Sequence, residues 1–357
     1  MSNRRVRPRD DVALMVGYHS PQVDVPVRLN TNESPYPPPP GFTEQLAAAV
    51  AEVDWHRYPD RGATELRRRI AELHEVAPEQ VFVANGSNEV LQTLLLTYAG
   101  AGRTVATFEP TYALHGHIAR LSGATVIEGE RDPQFVLSLT EVERVMGAAY
   151  PHVVFLCSPN NPTGGEEPRA LVEAVLQRVE AAGALLVVDE AYGQFASWSA
   201  ISLIGEDAPL VVTRTFSKTW SMAAARLGYL IGPRWVVAEL DKVVLPYHLD
   251  ALKQRAGTIA LGFTEDMEQR VAAIVAERQR VVRAMEGLGV TVWPSGANFV
   301  LFRPETADGA AVWQGLLDRG VLVRNCGSWP RLEGCLRLTI GTASEDDSFL
   351  DALKEVL

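Results

Sequence analysis

The stretch Leu185-Leu186-Val187-Val188-Asp189-Glu190-Ala191-Tyr192 decides how this chain is organised. Its four consecutive aliphatic residues predict a strand that is buried on both faces, as strands of parallel sheets are. A carboxylate directly after such a strand needs a cation or several hydrogen-bond donors. The motif therefore predicts either a ligand site at the carboxyl edge of a sheet or a buried structural ion pair, and by itself it favours neither.

Working outward from this strand, similar short β-rich runs are mostly interleaved with helical stretches. They occur at residues 81–83, 104–106, 153–156, 210–213 and 228–231. This alternation is typical of an α/β domain in which helices cover both faces of a largely parallel sheet. A long helical stretch around 265–288 is followed by β-rich runs at 290–292, 298–301, 321–323 and 336–339, which predict a second, smaller α+β unit.

The predicted domain boundaries follow from this pattern. Residues 1–40 are polar and end in four prolines, so we expect an N-terminal arm that runs extended over a surface. Residues 41–258 are predicted to form the large domain and residues 259–357 the small one. The length of 357 residues is consistent with this division.

Composition excludes several classes of function. The 33 Lys+Arg and 44 Asp+Glu residues give a net charge of −11, which disfavours nucleic acid and anionic membranes as partners. No run of apolar residues is long enough to cross a membrane. Only three cysteines occur, and their spacing indicates neither a disulfide framework nor a metal site. We therefore expect a soluble, cytoplasmic protein without a bound metal ion.

Three further loops follow predicted strands and carry polar groups. Gly86-Ser87-Asn88 opens a helix, whose free N–H groups suit a phosphate. The rigid loop 158–165 presents Asn161, and Lys218 follows the 210–213 run. Among the four lysines, Lys218 is the one that stands at a strand end among hydroxyls, where Schiff-base chemistry is plausible. The pair His115 and His117 lacks a nearby third ligand and is a weak indication of a metal.

Taken together, the four loops supply a phosphate cradle, an amide, a buried carboxylate, a phenol and a lysine. Pyridoxal 5′-phosphate (PLP) requires this set: an anchored phosphate, an amine for its aldehyde, an acid beside its ring nitrogen and donors to its phenolic oxygen. Two arginines, Arg324 and Arg337, lie in or after β-rich runs of the small unit, where paired guanidinium groups suit an anionic substrate.

The chain resembles the fold type I PLP-dependent aminotransferases and, within them, the histidinol-phosphate aminotransferases. The resemblance covers nearly the whole chain, and its motifs appear in the family's order: Leu29-Asn30-Thr31-Asn32-Glu33-Ser34-Pro35-Tyr36, Arg57-Tyr58-Pro59-Asp60, Gly86-Ser87-Asn88-Glu89, Asn160-Asn161-Pro162-Thr163-Gly164, Asp189-Glu190-Ala191-Tyr192, Arg214-Thr215-Phe216-Ser217-Lys218, Ala225-Arg226-Leu227-Gly228-Tyr229 and Leu336-Arg337-Leu338-Thr339-Ile340-Gly341.

The resemblance implies roles for individual residues. Lys218 would be the Schiff-base lysine, Asp189 the partner of the pyridine nitrogen, and Asn161 and Tyr192 the donors to the phenolic oxygen. The residues expected to hold the phosphate, or to lie beside it, are Gly86, Ser87, Asn88, Thr215, Ser217 and Arg226. Tyr112 would stack on the ring, and Tyr58 would reach the cofactor of a second subunit, which implies a homodimer with shared active sites. Asn32, Tyr36, Arg324 and Arg337 are expected to contact the substrate.

The predicted reaction transfers an amino group from L-histidinol phosphate to 2-oxoglutarate, giving imidazole acetol phosphate and L-glutamate in histidine biosynthesis. Three alternatives remain open at this point. They are an aminotransferase for aromatic or other amino acids, a PLP-dependent decarboxylase of a phosphorylated amino acid, and a non-catalytic PLP-fold binding module.

Overall fold

The computed structural model describes residues 6–15, 17 and 22–357. The helices are α1 (Asp10–Ala13), α2 (Pro40–Ala51), α3 (Thr64–Leu73), α4 (Gly86–Tyr98), α5 (Leu114–Leu121), α6 (Leu139–Ala149), α7 (Arg169–Ala182), α8 (Arg234–Val243), α9 (Ala251–Ala260), α10 (Thr264–Met285), α11 (Gly309–Asp318) and α12 (Ala343–Val356). Within the described part of the chain, no helix is both long and apolar enough to span a membrane.

The strands form two sheets. They are β1 (Val27–Leu29), β2 (Val81–Ala84), β3 (Thr104–Glu109), β4 (Thr125–Glu130), β5 (Val153–Cys157), β6 (Leu185–Asp189), β7 (Leu210–Thr215), β8 (Gly228–Ile231), β9 (Val290–Val292), β10 (Phe299–Pro304), β11 (Val321–Asn325) and β12 (Leu336–Thr339). The large sheet has the order β2-β8-β7-β6-β5-β3-β4, and the small sheet has the order β1-β11-β12-β10-β9.

Strand β6 illustrates why the large sheet is covered on both sides. Leu185 and Val187 point into a core that α4, α5 and α8 close, whereas Leu186 and Val188 point into the opposite core, beneath α6 and α7. Successive side chains of a strand alternate between faces, so a continuous aliphatic run has to be buried on both. The predicted α/β architecture is confirmed.

The direction of the strands brings the polar loops to one edge. In the large sheet only β8 is antiparallel to its neighbours, β2 and β7. The carboxyl ends of β5, β6 and β7 therefore meet at one edge, and reversed β8 begins there. The chain enters β8 directly after Arg226, so this arginine arrives at the same edge as Asp189 and Lys218.

The small sheet includes a strand from the predicted N-terminal arm. Val27–Leu29 pairs in parallel with Val321–Val323, so this part of the arm is an edge strand rather than a segment lying over a surface. Asp10–Ala13 also forms one helical turn, and Pro40 begins α2, where the absent N–H of proline is tolerated. The boundaries after residues 40 and 258 stay predictions.

Two strands, β1 and the outermost strand β4 of the large sheet, are not predicted from the sequence. Thr125–Glu130 pairs with β3 as the outermost strand, and most of its residues are partly exposed. An edge strand has only one neighbour, so it needs no continuous apolar run and its pattern in the sequence is weak.

Candidate active site

A cavity of about 400 Å³ lies at the carboxyl edge of the large sheet, where the arm segment and β12 face it. Most of the predicted site residues line it: Asn32, Ser87, Asn88, Tyr112, Asn161, Asp189, Tyr192, Thr215, Ser217, Lys218, Arg226 and Arg337. Its walls also include Asn30, Thr31, Glu33, Cys157, Ala191, Ala223 and Ala224, which the sequence did not suggest.

One end of the cavity is a cradle of donors around the N-terminus of α4. Arg226 Nη1 donates to Ser217 Oγ at 3.2 Å, and Thr215 Oγ1 lies 3.0 Å from the same hydroxyl. Gly86 has a φ of +77°, and a Cβ there would lie 2.8 Å from Arg226 Nη2. A side chain would therefore fill the cradle. Helix N–H groups, hydroxyls and one guanidinium make this end suited to a phosphate.

Asp189 lies on the floor of the cavity and is held from three sides. Its Oδ2 is 2.8 Å from His115 Nε2, while Oδ1 accepts hydrogen bonds from Thr213 Oγ1 and the Ala191 N–H, both at 3.1 Å. The His115 ring is buried and stacks on Phe155 at 4.5 Å. The carboxylate is thus fixed in one orientation.

His115 is a site residue that the sequence indicates only weakly, since its pairing with His117 suggests a metal ligand rather than a partner of Asp189. The available signal was its closeness to Tyr112: His115 follows it by three residues, and its N–H donates to the Tyr112 carbonyl at the start of α5. Within the described residues, no group of three or more His, Cys, Asp or Glu side chains is arranged to bind a metal ion.

Lys218 follows β7, and its amine points into the cavity. Nζ donates to the Thr31 carbonyl at 3.2 Å and lies 5.7 Å from the centre of the Tyr192 ring. Burial, together with the positive charges of Arg337 and Arg226 and against the effect of Glu33, lowers the pKa of Lys218 to about 7. Near neutral pH a large fraction of this amine is therefore uncharged and nucleophilic.

Opposite the cradle, a network of hydrogen bonds orients two donors. Asn32 Nδ2 donates to the Tyr192 hydroxyl at 2.8 Å, so the phenol can direct its own hydrogen elsewhere. Burial raises the pKa of Tyr192 to about 12, against the effects of Arg337 and the Asn32 bond, so the phenol is protonated. Arg337 Nη1 donates to Asn161 Oδ1 at 2.6 Å, which leaves the Asn161 Nδ2 group for a ligand.

Arg337 is the cationic residue of the small sheet that reaches the cavity. It is 5% exposed, and its Nη2 donates to the Asn30 carbonyl at 2.9 Å. Arg324 is its direct neighbour across the β11–β12 pair, but its guanidinium lies over the Trp329 ring, 5.4 Å from the centre, and it is not a lining residue. The two predicted substrate arginines are therefore adjacent on the sheet, and one of them faces the cavity.

Two predicted tyrosines lie outside the cavity of this chain. Tyr36 packs against the core of the small unit, and its N–H donates to Ser34 Oγ. Tyr58 is 79% exposed and stacks on Tyr247 with ring centres 4.5 Å apart. Neither is a lining residue.

The residues that are present fit PLP. The cradle matches its phosphate, Asp189 its ring nitrogen, Asn161 and Tyr192 its phenolic oxygen, and the neutral amine of Lys218 its aldehyde. The Tyr112 hydroxyl is 3.2 Å from Asn88 Oδ1, which holds this aromatic ring at the cavity wall.

Comparisons with known proteins show the family of the chain. Residues 24–353 match the family model for aminotransferase class I and II. Histidinol-phosphate aminotransferases from Frankia casuarinae and Mycobacterium marinum are 44% and 43% identical to this chain; the alignments cover 98% and 96% of it and 90% and 91% of those proteins.

A solved structure has the same fold. The histidinol-phosphate aminotransferase from Sinorhizobium meliloti, in complex with pyridoxal 5′-phosphate, superposes with a TM-score of 0.88 at 23% identity, over 99% of this chain and 98% of that one. The chain belongs to the class I and II aminotransferases and, within them, to the histidinol-phosphate aminotransferase family, with the fold type I architecture.

Proposed function

We propose that this enzyme binds PLP and transfers the amino group of L-histidinol phosphate to 2-oxoglutarate, giving imidazole acetol phosphate and L-glutamate. One observation carries the proposal. Lys218, whose pKa is lowered to about 7, and Arg337, whose guanidinium suits an anion, face the same cavity, and this cavity also contains the phosphate cradle between helix α4 and Arg226. The name shared by the most similar relatives supports this donor and the histidine biosynthetic pathway.

Each cofactor contact is part of the proposal. Ser87, Asn88, Thr215, Ser217 and Arg226 would hold the phosphate, and Tyr112 would cover one face of the ring. Bound PLP supplies an electron sink that makes the Cα–H bond of the donor acidic. Asp189, fixed by His115, would lie beside the ring nitrogen and stabilise its protonated form. Asn161 and Tyr192 direct donors at the phenolic oxygen.

Lys218 is the proposed general base. A group with a pKa near the working pH can both accept a proton and return it. With a pKa of about 7, the Lys218 amine could take the proton from Cα of the donor and return it to the carbon of the cofactor's former aldehyde group.

Arg337 is proposed to bind both substrates in turn. Histidinol phosphate lacks an α-carboxylate, so its phosphate would occupy the position in which a carboxylate of glutamate binds in the second half-reaction. A planar guanidinium can donate paired hydrogen bonds to either anion. The Asn161 and Asn30 oxygens hold Arg337 in place for that purpose.

The proposal includes a homodimer in which Tyr58 contacts the cofactor phosphate of the partner. Its large exposed fraction and its position in the short connection between α2 and α3 support such a contact. We also propose a cytoplasmic location, since the three cysteines are all free and buried.

The test mixes the purified PLP-loaded protein with single amino donors and follows the absorbance of the cofactor. Histidinol phosphate should convert it to the pyridoxamine form, and 2-oxoglutarate should reverse the change. Phenylalanine exceeding histidinol phosphate in kcat/KM would indicate an aromatic aminotransferase instead. Release of CO2 from a phosphorylated amino acid without 2-oxoglutarate would indicate a decarboxylase, and cofactor binding without turnover of any amine would indicate a binding module.

A further inference from the structure

Ser221, three residues after Lys218, has a backbone conformation that serine rarely adopts. Its φ is +56°, in the left-handed region. A non-glycine residue there is strained, because its Cβ approaches the following carbonyl oxygen too closely. Glycine would remove this strain, so the serine side chain is expected to contribute something that offsets it.

The Ser221 hydroxyl joins two parts of the molecule that are distant in sequence. It donates to Ser34 Oγ at 2.9 Å and accepts a hydrogen bond from Arg270 Nη1, also at 2.9 Å. Arg270 belongs to α10 and also donates to the Pro37 carbonyl at 3.2 Å. Arg270 and Ser221 thus hold the arm at Ser34 and Pro37; we call these two residues the Arg270 clamp.

The other end of the same arm segment lies in the active site. The Thr31 carbonyl accepts from Lys218 Nζ, and Asn32 donates to the Tyr192 hydroxyl. Asn298 Nδ2 supports the middle through the Asn32 and Glu33 carbonyls, at 3.2 and 3.3 Å. Residues 31–37 therefore form a strap that is anchored on Lys218 at one end and on the Arg270 clamp at the other.

The charge of Arg270 is not used in an ion pair. In the part of the chain that the structure describes, no carboxylate lies within ion-pair distance of its guanidinium; its acceptors are the Ser221 hydroxyl and the carbonyls of Asp266 and Pro37. Because these three acceptors are uncharged, Arg270 contributes to this contact mainly through geometry: its planar fork sets the direction of each bond.

We infer that Ser221 and Arg270 are positioning residues for transamination: they hold residues 31–37 over the cavity, so that Asn32 and Glu33 meet the substrate in their binding geometry. Neither residue touches the cavity itself. When the clamp is lost, the strap samples other positions, and the apparent affinity for substrate falls in proportion to the fraction of time it is correctly placed.

The decisive variant is Ser221→Gly, because it removes the hydroxyl and the backbone strain together. If Ser221 has only a structural role, the variant should be at least as stable as the wild type and its kinetics should be unchanged. If Ser221 acts as part of the Arg270 clamp, the variant should have equal or higher thermal stability, but its KM for the amino donor should rise about five- to tenfold. This rise corresponds to roughly one lost hydrogen bond, and kcat should change by less than about threefold.

Two further variants separate the clamp from general effects. Arg270→Gln should raise KM to a similar extent as Ser221→Gly, and the double variant should be no worse than the single ones because both act on one contact. Glu75→Gly is the matched control, since Glu75 is exposed, has a φ of +55° and does not line the cavity. It should gain stability without a change in KM.

Amide hydrogen exchange gives a readout that does not depend on turnover. The Tyr36 N–H donates to Ser34 Oγ, so exchange in residues 31–37 should become faster in Ser221→Gly and Arg270→Gln but not in Glu75→Gly. Unchanged exchange and unchanged KM in Ser221→Gly would overturn the inference. Any accepted donor serves for the KM measurement, so the result does not depend on histidinol phosphate being the substrate.

Discussion

His115 Nε2 lies 2.8 Å from Asp189 Oδ2, and both side chains are almost completely buried. The other ring nitrogen of His115, Nδ1, has no hydrogen-bond partner among the described residues. A proton on Nδ1 would therefore be buried without an acceptor, which favours the tautomer that carries its hydrogen on Nε2 and donates it to Asp189. The histidine thus holds the carboxylate in one orientation beneath the cofactor site.

The first prediction concerns this pair. His115→Phe keeps the aromatic stacking on Phe155 but removes the hydrogen bond to Asp189, so we expect kcat/KM to fall by about 10- to 100-fold, corresponding to about 1.5–3 kcal/mol for a bond to a charged group. Steady-state kinetics measure the loss, and the thermal unfolding midpoint shows whether the fold survives. His117→Phe, on the same helix but outside the cavity, should be nearly silent; a wild-type rate in His115→Phe would contradict the positioning function.

The second prediction is a pH dependence of cofactor capture. Because burial lowers the pKa of Lys218 to about 7, the fraction of reactive neutral amine rises as the pH increases through 7. Capture of PLP by the apoenzyme, followed by stopped-flow absorbance, should show half its maximal rate near that pH. Glu33 stabilises the ammonium form, so Glu33→Gln should move the midpoint to lower pH.

The attachment point of the cofactor can be checked separately. Borohydride reduction followed by peptide mapping should label Lys218. A label on Lys242 or Lys253 would show that another amine carries the cofactor, and a capture midpoint near the ordinary lysine pKa would show that Lys218 is not desolvated.

The third prediction separates the two arginines of the small sheet. Arg337→Ala should weaken both half-reactions by about 2–5 kcal/mol, because a buried, hydrogen-bonded charge is lost from the anion site. Arg324→Ala should have a clearly smaller effect on both, since its guanidinium lies over Trp329 and outside the cavity. Single-turnover measurements with each substrate test this ranking, and equal losses would mean that Arg324 reaches the substrate after all.

The fourth prediction concerns the exposed tyrosine. If the proposed dimer forms, Tyr58→Phe should speed the loss of PLP on dialysis while the sedimentation velocity stays that of a dimer, because only the proposed hydroxyl contact to the phosphate is removed. Tyr150→Phe is the control, since Tyr150 is similarly exposed, at 77%. A wild-type protein that is a fully active monomer at high dilution would refute the shared active site.

The sequence was sufficient for the strands of the large sheet other than β4, and with the family resemblance for most of the cavity. Strands such as β6 are buried on both faces, so their residues form unbroken aliphatic runs that are visible without a structure. The polar groups that follow them, including Asp189 and Lys218, are linked to the strand ends by the chain itself. Local pattern and covalent connection were enough to predict that they meet at one edge.

Tertiary structure alone decided the contacts made between distant segments. Arg337 and Arg324 both lie in apolar strands, so the local sequence does not show which of them enters the cavity. They become neighbours only through the β11–β12 pairing, where Arg337 faces the cavity and Arg324 lies over Trp329. The same holds for His115 beneath Asp189, for β1 in the small sheet and for Ser221 between Ser34 and Arg270. Side-chain direction at such places depends on packing against residues up to hundreds of positions away, and a pattern along the chain carries no information about those neighbours.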